Sequence, residues 1–186
     1  CGDVSLVPFV RLSSDALKAA RGALNKGCTV VSDTPAVAAA LDQTRLAHLE
    51  CAVQTLIDNP HIHSAAEAEE TFWQQDHWRS KLHDLPVGCV LVIGYAPSVL
   101  MAVCEAIQTR QLKPALIIGL PIGFSHAPAA KRRLQHSGVS FITTEGTQGG
   151  GLLAAVALNS LMTTLIEKPN CHCYLKGLHP HRRSTQ

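Results

Sequence analysis

The sequence predicts an α/β fold, in which a mostly parallel sheet carries helices on both faces in a three-layer α/β/α arrangement. Three observations support this prediction. Strand-like and helix-like segments alternate along residues 1–166. Strand segments such as 88–94 (GCVLVIG) are apolar without interruption, which is typical of strands buried on both faces. The connections are short, so residues 1–166 are predicted to form one domain.

The first half of the chain contains predicted elements that alternate in type. They are a helix over 13–26, a strand over 28–33, a helix over 34–41, a strand within 48–58 and an amphipathic helix over 64–82. Ser13 or Ser14 is the expected N-cap of the first helix, and Gly27 lies just past its end. Pro35 is expected near the first position of the second helix, where its fixed φ suits the helical backbone.

The second half repeats the alternation more clearly. Its predicted elements are strands over 88–94, 114–119 and 139–146, and helices over 96–109, 127–138 and 150–166. Residues 167–186 are polar, basic and without periodicity, so they are expected to form a disordered tail.

The composition excludes several classes of protein. Hydrophobic residues make up 46% of the chain, and the net charge of +2 is too small for a general nucleic-acid binder. No apolar run approaches the roughly 18 residues needed to span a bilayer, and no signal peptide is evident. The seven cysteines lie mostly in apolar contexts, which favours free thiols in a reducing compartment and predicts a cytoplasmic protein.

The ends of three predicted strands carry small residues and point to a ligand site. These segments are 93–98 (IGYAPS), 118–127 (IGLPIGFSHA) and 144–151 (TEGTQGGG). In open parallel sheets, ligands bind at the carboxyl ends of the strands. The second segment has prolines where a phosphate cradle would need backbone N–H groups, so we expect a wide, flat ligand there.

A nucleotide site and a metal site are also conceivable, but simpler explanations account for the same residues. The glycines of 145–151 could bind a nucleotide, but they match neither common phosphate-binding motif, and a tight strand-to-helix turn explains them as well. The tail contains soft ligands for zinc or copper, namely Cys171, His172, Cys173, His179 and His181. Their spacing matches no common zinc module, so no metal site is predicted.

For His126 and for the basic cluster at 131–133, the sequence leaves a functional and a structural interpretation open. His126 follows a strand end, where it could act as a general acid or be an ordinary exposed or capping loop residue. Lys131, Arg132 and Arg133 could bind the carboxylates of a ligand, or form a solvated helix face.

Four motifs in one collinear order resemble the precorrin-8X methylmutase (precorrin isomerase) family of cobalamin biosynthesis. They are CGD (1–3), IGYAPSVL (93–100), KPALIIGLPIGFSHAPAAK (113–131) and GGGLLAAVALNSL (149–161). The corresponding family patterns include G-N-A-P-T-A-L, a G-x-P-V-G-F segment ending in E-S-K, and a G-G-S turn before an A-x-N-A-L helix. The resemblance extends from Cys1 to about Met162.

The resemblance implies an activity and partners. Members move a methyl group from C-11 to C-12 of the corrin precursor, which gives hydrogenobyrinic acid or its cobalt form, cobyrinic acid. They need no organic cofactor, they are homodimers, and a histidine protonates the macrocycle as general acid. The substrate is a tetrapyrrole, a flat molecule with several carboxylate arms, and the proline-stiffened loop after 114–119 would shape its cleft.

The resemblance also implies site residues and shows where this chain departs from the family. The family histidine lies two residues before the position of Cys1. The expected substrate contacts are Thr71, Tyr95, Ser98, Gly123, Phe124, His126, Gly149 and Gly150. Of these, Thr71 and Ser98 would donate to a carboxylate or a ring nitrogen, and Gly123 and Phe124 would form the cleft wall.

The departures replace polar groups of the family by larger or less polar ones. The family T-R-S segment is Thr71-Phe72-Trp73 here, its Asn is Tyr95, and its E-S is Ala129-Ala130.

Two further hypotheses belong to other classes of protein. The chain could be a non-catalytic tetrapyrrole-binding paralogue, in which Phe72, Trp73 and Tyr95 stack on the ligand. It could also be a metal-handling accessory protein that uses the cysteines and histidines of the tail.

Overall fold

The computed structural model describes residues 3–57 and 77–166. In these ranges six strands form one sheet: β1 Val10–Leu12, β2 Val30–Ser32, β3 Val53–Thr55, β4 Val90–Ile93, β5 Leu116–Gly119 and β6 Phe141–Thr144. The strand order is β1-β6-β5-β4-β2-β3. All neighbours are parallel except β1 and β6, which are antiparallel. The prediction of a mostly parallel sheet is therefore confirmed.

Helices lie between the strands along the chain, and one more helix follows β6. They are α1 Ala16–Leu24, α2 Pro35–Ala39, α3 Gln43–His48, α4 His77–Lys81, α5 Pro97–Gln108, α6 Ala127–Gln135 and α7 Gly151–Ile166. Short 3₁₀ segments cover Val4–Phe9 and Leu82–Asp84. No helix in the two described ranges is long and apolar enough to cross a membrane.

The central strands bury side chains on both sides of the sheet. Val30, Val90 and Leu116 pack into one core together with α1, α2, α3 and α7. Leu91 and Ile117 point to the opposite side, where they pack with α4, α5 and α6. β4 and β5 are buried at every position. The apolar runs of the sequence therefore correspond to a sheet between two helical layers, as predicted.

The first helix differs from its prediction at its beginning. α1 begins at Ala16, and its N-cap is Asp15 rather than Ser13 or Ser14. The Ser13 hydroxyl instead donates to Asp15 and accepts the N–H of Phe141, so this serine links the start of α1 to β6. The other prediction for this helix is confirmed, because Gly27 follows its end with a φ of +66°.

Among the strands and α-helices of the described ranges, two were not predicted. β1 has only three residues and pairs antiparallel with β6 at the sheet edge. α3 occupies the polar stretch before the ambiguous segment 48–58, and Asp42 caps it by accepting the N–H of Arg45. Both are too short to show a hydrophobic period. Of the predicted helix over 64–82, residues 64–76 lie outside the described ranges, and the predicted tail at 167–186 lies outside them as well.

Candidate functional site

Three loops meet at the carboxyl edge of the sheet, because β4, β5 and β6 are parallel neighbours. The Leu120 N–H donates to the Ile93 carbonyl at 2.7 Å, which joins the ends of β5 and β4. The Gly150 N–H donates to the Leu120 carbonyl, also at 2.7 Å. The Gly123 N–H donates to the Thr147 carbonyl at 3.2 Å. The predicted grouping of the three loops at one edge is therefore present.

Glycines allow these loops to approach one another. A Cβ on Gly149 would lie 2.3 Å from the Leu120 carbonyl oxygen, and a Cβ on Gly94 would lie 2.5 Å from the Cα of Gly151. Real Cβ atoms are not found at such distances. The turn over 145–151 therefore needs glycine for close backbone packing, which agrees with the simpler explanation given above for its sequence.

A buried carboxylate holds the loop after β4. Asp33 directly follows β2, and its Oδ2 accepts the N–H groups of Gly94, Tyr95 and Ala96 at 3.1, 2.6 and 2.9 Å. Burial raises the pKa of the Asp33 carboxyl, and the three backbone donors partly offset this effect by favouring the charged form. The carboxylate thus orders the backbone that presents Tyr95 and begins α5.

A buried lysine holds the loop after β6. The Lys131 side chain is completely buried, and its ammonium donates to the Gln148 carbonyl at 2.6 Å and to the Thr144 hydroxyl at 3.2 Å. Thr144 donates in turn to the same Gln148 carbonyl at 2.7 Å. Burial lowers the pKa of Lys131 to about 8. Lys131 therefore supports the Gln148–Gly150 turn from the protein interior.

The three neighbouring cations of α6 do not form one surface. Lys131 points inward, and Arg133 donates to Glu105 at 3.1 Å and to Gln108 at 2.8 Å on α5. Both alternatives proposed for this cluster are therefore wrong for Lys131, which neither faces a ligand nor lies on a solvated face.

The loops present apolar side chains to solvent. The exposed side chains are Tyr95, Ile122 and Phe124 on the loops and Leu152 in the first turn of α7; Phe124 is the most open, with 90% of its surface accessible. The loop residues 94–98, 120–126 and 145–150 contain no Lys or Arg. Their only carboxylate, Glu145, pairs with Arg11 on β1 at 2.8 Å. Exposed apolar patches on a folded protein often mark sites of interaction or ligand binding.

The structure brings most of the predicted site residues to this edge. Ser98 lies exposed in the first turn of α5, near the exposed Tyr95. Phe124 and His126 are exposed on the loop after β5, whereas Gly123, Gly149 and Gly150 are partly buried. Thr71 lies outside the described residues.

His126 occupies the N-cap position of α6 but makes no side-chain capping hydrogen bond. His126 is exposed at the same edge as Phe124, and capping does not explain its presence there. The position is compatible with contact to a ligand.

Asp33 was not predicted as part of the site, and Lys131 was considered only as a ligand-binding cation or part of a solvated helix face, not as a buried support of the loop. The position of Asp33 at the carboxyl end of a buried strand was a usable signal, because it places the carboxylate beside the neighbouring strand's loop. Lys131 gave no such signal, because it stands next to two arginines in a basic helix. In residues 3–57 and 77–166, no group of three His, Cys, Asp or Glu side chains could hold a metal ion. The Cys/His tail lies outside these residues.

The fold and the site define the class of protein, which is a three-layer α/β protein. At the carboxyl edge of its sheet, exposed apolar side chains lie on loops that the buried side chains of Asp33 and Lys131 hold in place. The family model for precorrin-8X methylmutase matches residues 1–164, and the chain belongs to this family. A methylmutase is an isomerase, so the family is one of enzymes, and the expected resemblance is confirmed.

Named relatives agree with this assignment. A precorrin-8X methylmutase of Pseudomonas aeruginosa is 34% identical over 167 residues, covering 88% of this chain and 78% of the relative. A cobalt-precorrin-8 methylmutase of Leptospira interrogans is 29% identical over 161 residues, covering 83% and 73%. A solved precorrin-8X methylmutase from Thermus thermophilus superposes with a TM-score of 0.71 at 30% identity, covering 85% of this chain and 77% of that structure.

Proposed function

We propose that this chain catalyses the precorrin-8X or cobalt-precorrin-8 methylmutase reaction of cobalamin biosynthesis. A methyl group would move from C-11 to C-12 of the corrin precursor, giving hydrogenobyrinic acid or cobyrinic acid. The observation that carries the proposal is the apolar surface at the carboxyl edge, formed by Tyr95, Phe124 and their neighbours in a member of this family. A flat macrocycle fits an open apolar surface better than a small polar metabolite does.

The carboxylate arms of such a substrate need polar partners. Since the three loops contain no Lys or Arg, we propose that hydroxyl and backbone N–H groups bind the arms. Ser98 lies at the start of α5, and Gly149 and Gly150 directly precede α7, where the helix dipole favours negative charge. The Gly150 N–H itself donates to the Leu120 carbonyl, so Gly150 would contribute through its position at this helix start. Thr71 is proposed as a further donor to the substrate.

The reaction needs a proton on the macrocycle so that the methyl group can migrate. We propose that the family histidine, two residues upstream of Cys1, supplies it as general acid. Within the described residues, His126 is the candidate for a second proton donor, since its ring is exposed beside Phe124. The reaction is an internal rearrangement, so we propose that it uses no organic cofactor.

Two further properties are proposed for this chain, the first from the family and the second from its cysteines. We propose a homodimer, and we propose a cytoplasmic location. The second proposal is supported by the free thiols of the described cysteines, namely Cys28, Cys51, Cys89 and Cys104.

A second candidate function is a non-catalytic tetrapyrrole-binding protein. The observation that favours it is Tyr95, whose exposed ring occupies the position of the family asparagine. An aromatic ring there can stack on a macrocycle without taking part in proton transfer.

One experiment separates the two candidates. The full-length protein is titrated anaerobically with hydrogenobyrinic acid and followed by visible absorbance. A saturable stoichiometric shift supports a tetrapyrrole site, and conversion of precorrin-8X in the same cuvette supports the enzyme. Binding without conversion supports the binding protein. No shift at any concentration contradicts both.

His126→Ala tests the proposed role of this side chain, and His48→Ala is the matched control. His48 is also exposed, but it lies at the end of α3. If His126 donates a proton, His126→Ala lowers kcat and leaves binding of the product unchanged, whereas His48→Ala changes neither.

A further inference from the structure

Two cysteines lie side by side at the amino edge of the sheet, opposite to the candidate site. Cys28 precedes β2 and Cys51 precedes β3, and these two strands are parallel neighbours. The register pairs Val30 with Val53, which lie two residues after the respective cysteines. The two thiols are therefore in matching positions if the register continues to the start of the strands.

The structure shows that the register does continue. A Cβ on Gly27 would lie 3.5 Å from the Cβ of Glu50, and these residues directly precede Cys28 and Cys51. Matched pairs thus flank the cysteines on both sides. Adjacent strands are about 4.8 Å apart. Disulfides join Cα atoms about 4.4–6.8 Å apart, so the backbone geometry suits a disulfide.

The two thiols differ in their access to solvent. Cys51 is buried, and its Sγ lies 3.7 Å from the carbonyl oxygens of Leu24 and Leu49. Cys28 is partly exposed and lines a cavity of about 510 Å³ together with Lys26 and Thr29. A small molecule can therefore reach Cys28 first, and the cation of Lys26 favours an anionic one.

We propose that Cys28 and Cys51 form a reversible disulfide when the protein meets a small anionic disulfide such as oxidised glutathione. The Cys28 thiolate attacks one sulfur of oxidised glutathione, which forms a mixed disulfide and releases one glutathione. The Cys51 thiolate then attacks the Cys28 sulfur and releases the second glutathione. Two protein thiols are thereby oxidised and one glutathione disulfide is reduced to two thiols, because the two protons lost by the cysteines are taken up, through solvent, by the departing glutathione thiolates.

Alkaline pH favours the reaction. Burial, together with the nearby thiols of Cys51 and Cys89, raises the pKa of Cys28 to about 12, and burial also raises the pKa of Cys51. Since the thiolate is the nucleophile, the test is made at mildly alkaline pH. The inference is independent of the proposed function, because the pair lies at the edge opposite to the three loops.

The test is a peptide map of the folded protein. The protein is incubated with oxidised glutathione at about pH 9, the remaining thiols are blocked with N-ethylmaleimide, and the product is digested with trypsin. Cleavage after Lys26, Arg45 and Arg79 places the two cysteines in separate peptides, 27–45 and 46–79. We expect these peptides to be joined, to lose the maleimide label at both cysteines, and to separate on reduction.

Two variants control the experiment. Cys51→Ser should retain glutathione on Cys28, because no second thiol remains to displace it. Cys104→Ser removes another buried thiol, on α5, and should leave the joined peptides unchanged. Full labelling of both cysteines in the oxidised wild-type protein would overturn the proposal, as would a map in which Cys28 is joined to the peptide containing Cys89. The wild-type map decides the matter even if a variant does not fold.

Discussion

The Oδ2 atom of Asp33 lies 2.6 Å from the backbone nitrogen of Tyr95, although 62 residues separate the two along the chain. This contact joins the carboxyl end of β2 to the loop that follows β4. The same oxygen accepts two further N–H groups, from Gly94 and Ala96. One carboxylate thus fixes three consecutive residues of the candidate site.

Replacing Asp33 by alanine should destabilise the protein. It leaves three backbone donors without their acceptor, and one unsatisfied buried donor costs about 1–3 kcal/mol. We expect a total loss of roughly 2–4 kcal/mol, because Tyr95 and Ala96 are open enough for water to replace part of the interaction. Urea unfolding followed by circular dichroism measures this loss.

The control for this prediction is Asp84→Ala, since Asp84 is an exposed carboxylate in a short 3₁₀ segment. It should change the free energy of unfolding by less than about 0.5 kcal/mol. Equal effects of the two substitutions would show that the Asp33 carboxylate does not anchor the loop.

Lys131 should make stability depend on pH. Its pKa is about 8 in the folded protein, against an ordinary value of 10.5, so the unfolded chain binds more protons between these values. The contribution of Lys131 to stability therefore rises with pH from about 8 to 10.5, by at most about 3 kcal/mol. The buried thiols act in the opposite direction, because burial raises their pKa values.

A comparison with Lys131→Met separates Lys131 from the thiols. Urea unfolding at several pH values measures the free energy of unfolding of both proteins. Between about pH 8 and 10.5, the wild type should gain stability relative to Lys131→Met as the pH rises. Lys113→Met removes an exposed lysine by the same substitution and is the matched control. A difference for Lys131→Met that does not change with pH would contradict a lowered pKa.

The fold could be predicted where hydrophobicity alone decides it. β4 and β5 are buried at every position, so their sequences are apolar throughout and mark the middle of a parallel sheet. β1 could not be predicted in the same way. Its three residues include exposed apolar side chains and Arg11, and its place in the sheet depends on pairing with the distant β6.

The candidate site could be predicted to the level of loops. Strand ends with small residues identified the segments that contain Tyr95, Phe124 and Gly149. The supporting role of Lys131 could not be predicted, because a sequence does not show that Lys131 points into the protein while Arg133, two residues later, reaches the surface of α5. Such directions depend on which helix face meets the sheet.

Gly149 and Gly22 should respond with opposite signs to the same substitution. A Cβ on Gly149 would collide with the backbone of Leu120 and Pro121, so Gly149→Ala should destabilise the protein by about 2–3 kcal/mol. Gly22 lies inside α1 with open space around it, so Gly22→Ala should stabilise by about 0.5–1 kcal/mol. Thermal unfolding of both variants checks this, and a stabilised Gly149→Ala would disprove the close approach of the two loops.

Phe124 should affect binding without affecting stability. Its side chain is 90% exposed, so Phe124→Asp should change the free energy of unfolding by less than about 0.5 kcal/mol. If Phe124 covers the face of a tetrapyrrole, the lost aromatic contact should weaken binding of hydrogenobyrinic acid about tenfold or more, as measured by absorbance titration. Repulsion between the new carboxylate and the arms of the ligand adds to this loss.

Val87→Asp is the matched control, because Val87 is 81% exposed and lies beside the cavity at the amino edge. Weaker binding in the Phe124 variant alone places the ligand at the carboxyl edge, whereas equal affinities in both variants remove Phe124 from the proposed site.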